Sequence, residues 1–182
     1  MAKSTPTIVG DNILVIRRLI ERLSISLTKS EFETEKQFIE RLRKILSDTK
    51  VPNTGHRLDN CVFVFKVGAP YDAEQQKFRV GVPQVPSPLN GNAVYKILFS
   101  RRVGHEWQGW YQMPDWQIPM EPSKAQELKP DLRVAVYGMP VFAMKFKTKV
   151  LHFLYFVPTK YVLFNQRTGE IYKEQTERDL LH

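Results

Sequence analysis

Apolar and polar residues alternate most regularly over residues 141–157, VFAMKFKTKVLHFLYFV. Side chains of a strand switch face at every residue. Phe142, Met144 and Phe146 therefore fall on one side, and Lys145, Lys147 and Lys149 on the other. Residues 150–157 are apolar on both sides apart from His152, as in a strand covered on both faces. The pattern predicts the central strand of a sheet, closed by Pro158, either unbroken or bent near residues 148–150 into two.

Upstream the period changes to that of a helix. Ile13, Ile16, Ile20, Leu23 and Leu27 recur at three- and four-residue spacing, with Arg17, Arg18, Glu21 and Arg22 on the other side. This predicts a helix over residues 12–27 with Asp11 as its N-cap. A second helix is expected over about 31–48, with Phe32, Ile39, Leu42, Ile45 and Leu46 as its buried face. Ser30 and Glu33 have capping-box spacing. Glutamates fill its first turn and Arg41, Arg43 and Lys44 its last turns, matching the helix dipole. The two helices form an αα-hairpin over about residues 11–48.

From residue 58 to about 174 the pattern is that of strands. They are expected at 60–67, 77–82, 93–100, 106–112 and 132–137, with the first two paired as a hairpin. The segment GVPQVPSPLNGN is an extended loop, because proline lacks a donor and fixes φ. Residues 101–104 turn the chain, residues 113–130 are irregular with a short helix near 122–129, and Gly138-Met139-Pro140 is a break. Residues 160–165 and 170–173 make a closing hairpin in which Gly169 supplies the positive φ. Helices first and strands later mean an α+β domain: the helical hairpin packs on a mostly antiparallel sheet of about six to eight strands. Residues 1–182 read as one domain.

Composition sharpens this picture in two respects. The net charge is +8, and the excess is spread: +3 over residues 1–50, +2 over 51–100, +3 over 101–150 and none beyond. Such a surface attracts polyanions or serves solubility. The one cysteine, Cys61, lies in an apolar run, so neither an internal disulfide nor a CxxC metal site can form. A buried, inert thiol fits a cytoplasmic or other reducing intracellular compartment. The N-terminus lacks the apolar core of a signal peptide, and no apolar run has the length of a transmembrane helix.

The candidate chemistry is that of binding. Trp107, Trp110, Tyr111 and Trp116 cluster in sequence beside Arg101 and Arg102. Aromatic faces stack on unpaired bases and arginine binds phosphate. The same residue types also make protein–protein hot spots, or close the edge of a core. Lys145, Lys147 and Lys149, ~7 Å apart along one strand face, have the spacing to follow a phosphate backbone or to guard a sheet edge. His105 and Glu106 point to opposite faces if both lie in a strand, so they make a poor catalytic pair. Asp115, Glu121 and Lys124 have the residue types of a metal-dependent nuclease, but their spacing is too short and Pro119 and Pro122 interrupt any strand. No phosphate loop or nucleophile elbow occurs.

The sequence thus predicts a non-enzymatic, polyanion-binding accessory protein whose ligand is nucleic acid, with no metal or cofactor. The alternative is a structural or adaptor subunit that binds protein partners through its helix pair and tryptophan-rich segment. A nuclease is the third reading. Neither the oligomeric state nor a specific partner follows from the sequence.

Overall fold

The computed structural model describes residues 8–23, 26–66, 70–80, 85–86, 94–103, 106–111, 116–145 and 152–176. Helix α1 is Ile13–Leu23, α2 is Glu35–Asp48 and α3 is Pro122–Leu128. The strands are β1 (Cys61–Lys66), β2 (Tyr71–Asp72), β3 (Lys77–Val80), β4 (Val85–Pro86), β5 (Val94–Val103), β6 (Glu106–Tyr111), β7 (Trp116–Pro119), β8 (Leu132–Lys145), β9 (His152–Asn165) and β10 (Ile171–Thr176). The architecture is α+β. Among the described residues the strands form two sheets. The larger runs β1-β8-β9-β5-β4, with β10 on β9 and β6 on β5; the smaller runs β2-β3-β7. Every pairing is antiparallel except β5 with β9.

The β8–β9 ribbon is the spine. The alternating stretch divides between its two strands, and both sit inside the sheet. Two expectations fail there. Gly138-Met139-Pro140 is no break: β8 runs through it, and Gly138 pairs with Pro158. Nor does Pro158 close a strand, for β9 continues to Asn165. The ladder is irregular between Tyr137 and Gly138 and again between Pro140 and Phe142. At the first step Thr159 is the extra residue, and its Oγ1 donates to the Tyr137 carbonyl at 3.3 Å. Proline's missing donor costs little at a bulge. Gly138 is required: a Cβ there would lie 2.1 Å from the Val157 carbonyl oxygen and 2.6 Å from the Phe156 ring.

The bulge also switches faces. Before it Leu154 and Phe156 point into the main core; after it Tyr161 and Leu163 do. On that face they meet Phe63 and Val136, the α1 residues Ile13, Ile16 and Ile20, Phe78 and Val80 of β3, and Leu128 of α3. Phe63 and Phe156 meet edge to face, centroids 4.9 Å apart. The other face buries a smaller cluster of Val62, Ala135, Val162 and Phe164.

The helices depart from expectation at their starts. Asp11 does not cap α1; the Asn12 Oδ1 accepts from Leu14 N–H at 2.9 Å. Helix α2 begins at Glu35, not 31. Its capping box is Thr34 with Gln37: Thr34 Oγ1 accepts from Gln37 N–H, and the Gln37 side chain accepts from Thr34 N–H. Ser30 and Glu33 close a turn of their own before it. Phe32, expected in the buried face, is 88% exposed. Helix α1 packs on β8, and α2 packs on the 3-10 turn Leu58–Asn60.

Three strand assignments also change. β1 pairs with β8, not with β3, and β3 instead joins β2 and β7. β7 forms where an irregular segment was expected. Among the described residues it pairs with β3 alone, at the edge of the smaller sheet, and Pro119 is tolerated at its last position. β5 runs on through Arg101 and Arg102 to Val103, so these arginines lie in a strand and not in a turn; Gly104 falls outside the described residues. The closing β9–β10 hairpin forms as expected, with Gly169 at φ 74°.

Candidate nucleic-acid interface

Arg101 and Arg102 stand near the end of β5, and Trp107, Trp110 and Tyr111 lie on β6. The last β5 residue paired with β9 is Phe99, opposite Phe156. Past that point, among the described residues, β5 and β6 form a two-stranded arm. Its register pairs Arg101 with Gln108, Arg102 with Trp107, and Val103 with Glu106. Partners across a ladder share a face and neighbours along a strand do not. Arg102 and Trp107 are therefore on one face, and Arg101 and Gln108 on the other. The ladder is irregular between Phe99 and Arg101, where β6 holds one extra residue. Tyr111, opposite Phe99, thus returns to the face of Arg101, and Trp110 falls inside the irregular step. The cluster that is continuous in sequence is divided between two faces.

Trp116 does not belong to it. It lies on β7 in the smaller sheet, is 5% exposed and forms part of the main core. Its Nε1–H donates to Gln175 Oε1 at 2.8 Å, and its ring meets Tyr161 edge to face at 6.2 Å. It joins β7 to the β9–β10 hairpin and offers no open face for stacking.

Of the lysine stripe, Lys145 is the last residue of β8, opposite His152; Lys147 and Lys149 fall outside the described residues. Measured along β9, Lys145 is six residue levels from Arg101, about 20 Å at ~3.3 Å per residue. It stands at the opposite end of the sheet from the arm. His105 and Asp115 also fall outside the described residues. Glu121 precedes α3 without capping it through its side chain.

Three polar arrangements go beyond the sequence reading, because each joins residues more than two helical turns apart in the chain. The Asp11 side chain is fully buried at the edge of β1. Its Oδ2 accepts from Val62 N–H at 2.7 Å and lies 3.0 Å from His56 Nδ1, while its own N–H donates to the Val62 carbonyl. Among the described residues its Oδ1 has no hydrogen-bond partner. In the second arrangement Arg41 makes two parallel bonds of 2.8 Å to Glu33 and also donates to the Ser26 and Thr28 carbonyls. The hydrogen bond from Arg41 holds the Glu33 carboxyl below its ordinary range. In the third, a groove of about 710 Å³ opens between β7, the start of α3 and β10. Glu121, Lys124, Glu170 and Lys173 line it, two charges of each sign.

Cys61 is buried in the main core, and burial, reinforced by Asp11 and Asp59, pushes its thiol well above the ordinary range. Its distance from reactivity matches the inert thiol read from its apolar surroundings. Among the described residues no three His, Cys, Asp or Glu side chains gather in a metal-binding group, and no helix is long and apolar enough to cross a membrane. Comparison with family models, curated proteins and solved structures finds no match to this chain.

Proposed function

We propose that the chain is a non-enzymatic accessory protein that binds single-stranded nucleic acid along the β5–β6 arm. One observation carries the reading: the register sets Arg102 directly across from Trp107 on a two-stranded arm that continues past the sheet's last contact with β9. A cationic residue paired across the ladder with an aromatic one matches the two chemistries of an unpaired strand, phosphate and base face. The net charge of +8 adds a general attraction. In this reading residues 1–182 act as one domain, with the helical hairpin of residues 11–48 supporting the β-rich part of residues 58–174. The buried single thiol suits a reducing intracellular compartment.

The test is a salt titration of binding to a labelled single strand. Each phosphate contact contributes ~0.7 to the slope of log affinity against log salt. Arg102→Gln is expected to shallow the slope by about 0.7, and Arg101→Gln, on the other face, to change it less. Trp107→Ala is expected to weaken binding by about 1–3 kcal/mol while leaving the slope alone. Lys145→Gln, at the far end of the sheet, is expected to leave both unchanged. Wild-type protein that fails to bind at low salt removes the reading.

A second reading, that of a structural or adaptor subunit, is favoured by Phe32, the large apolar side chain most exposed to water among the described residues. Partner binding that survives nuclease treatment and is lost in Phe32→Ala would put this reading first.

A further inference from the structure

Among the described residues β1 is the outermost strand at one end of the larger sheet, and the segment before α1 lies along its free edge. Asp11 takes both backbone groups of Val62: its N–H donates to the Val62 carbonyl, and its Oδ2 accepts from the Val62 N–H at 2.7 Å. Both groups of Val62 therefore point away from β8. In an antiparallel ladder such residues alternate with those bonded to the neighbouring strand, so Val64 and Lys66 direct theirs outward as well. Gly10 stands against Val64: a Cβ there would lie 3.0 Å from Val64 Cγ2. Ile8 packs on the smaller cluster beside Val62 and Val64. Residues 8–11 thus form a strap across the edge. His56 Nδ1, 3.0 Å from Asp11 Oδ2, fastens it from the segment after α2.

The strand beneath lacks the usual protections of an edge. It contains no proline, its ladder with β8 has no bulge, and its one charge, Lys66, stands at its last position. At the other end of the strand order, β4 is two residues long and includes Pro86. The strap supplies what β1 itself does not. It does so at a cost, because the Asp11 Oδ1 is buried without a hydrogen-bond partner among the described residues. A cover that is held at one strand residue and carries such a cost is poised to open.

From this we propose that the strap is an autoinhibitory contact. Closed, it keeps β1 from pairing with β1 of a second copy; open, it releases an edge that pairs with itself. A twofold interface must be complementary to itself. The bare edge is so in the antiparallel sense. Pairing centred on Val64 sets Val64 against its own image and Val62 against Lys66 of the second copy, so every outward N–H meets a carbonyl. The two lysines then stand at opposite ends of the ladder. Strap and pairing exclude each other, because both use the N–H and carbonyl of Val62 and Gly10 stands against Val64. The proposal does not depend on the β5–β6 arm binding nucleic acid.

Sedimentation velocity on the full chain, over a concentration series, tests it, with circular dichroism to check the fold of each variant. Asp11→Ala removes the acceptor for Val62 and the tie to His56. It is expected to self-associate about tenfold or more tightly than the wild type. His56→Ala keeps both Val62 bonds, is expected to act in the same direction by less, and decides the matter if Asp11→Ala does not fold. Adding Val64→Pro removes the central outward donor at a place where an edge tolerates proline, and is expected to restore wild-type behaviour. Gly10→Cys with Val64→Cys gives the sharper control. A Cβ on Gly10 would lie 3.1 Å from Val64 Cβ, within a few tenths of an ångström of the roughly 3.5–4.5 Å that a disulfide spans. Oxidised, that pair shuts the strap and is expected to hold the loosened chain monomeric; reduced, the same chain is expected to associate. A folded, loosened chain that stays as monomeric as the wild type up to about 1 mM overturns the proposal. So does association that neither Val64→Pro nor the closed disulfide reduces.

Discussion

Helices α1 and α2 carry much the same apolar pattern, yet the fold uses them differently. α1 buries Ile13, Ile16 and Ile20 against the main core and holds even Arg17 largely covered, with Glu21 bonded along the helix at 2.9 Å. α2 buries Leu46 alone and leaves most of its stripe half-covered. An apolar stripe at helical spacing specifies a helix and the side it prefers to hide. How much of that side is hidden depends on what lies opposite: for α1 the long β8 strand, for α2 one turn of 3-10 helix.

The largest expected effect tests this difference. Ile16 is wholly buried, so Ile16→Ala is expected to cost about 2–5 kcal/mol, a lost transfer term plus a cavity. Ile39→Ala, in the α2 stripe, is expected to cost about 1 kcal/mol or less, because its side chain is already half in water. Urea unfolding of both variants gives the two numbers. Equal losses would mean that α2 is packed as tightly as α1.

What was legible in the sequence follows the same division. Local periodicity marked α1, most of α2, α3, β1, β6 and the β9–β10 hairpin, because each is specified by residues within one or two turns or by its own loop. It misplaced what depends on distant partners. Gly138 and Pro158 look like breakers one at a time; opposite each other they become a bulge that β8 and β9 pass through. β7 is four residues with a terminal proline, and its pairing among the described residues is with β3, about forty positions earlier. The candidate site suffered likewise. Six residues between 101 and 116 look like one cluster, but strand alternation, one bulge and a change of sheet distribute them over two faces and the core. Lys145 is removed to the far end by the strand order, which no local pattern encodes.

Asp11 sets a second, smaller test, on the side of α1. It was read as a helix cap and instead fastens the segment before α1 to the edge of β1. Asp11→Ala leaves the buried Val62 N–H without its acceptor, for an expected cost of about 1–3 kcal/mol. Loss of a buried carboxylate whose Oδ1 has no partner among the described residues works the other way and favours the lower end. Hydrogen exchange is the sharper readout: the Val62 amide is expected to lose protection in this variant, while Asn12→Ala, which removes the true cap, is expected to loosen Leu14 and leave Val62 protected.

The smallest expected effect lies on the side of α2 and concerns acid. The Glu33 carboxyl titrates below its ordinary range chiefly because Arg41 hydrogen-bonds to its charged form. A group whose folded-state pKa is depressed adds stability above its unfolded pKa and loses it as pH falls through the folded value. The brace between Glu33 and Arg41 is thus intact at neutral pH and weakens at the acid end of the carboxylate range. Amide exchange over residues 26–34 is expected to speed up there in the wild type, relative to the core strands. Glu33→Gln cannot titrate, so its turn is expected to exchange faster already at neutral pH and to show a shallower acid dependence. A wild-type turn whose protection tracks the core down to the lowest pH would show that Ser30, Thr34 and the backbone hold it without the ion pair. Phe32 would then owe its presentation to the turn alone.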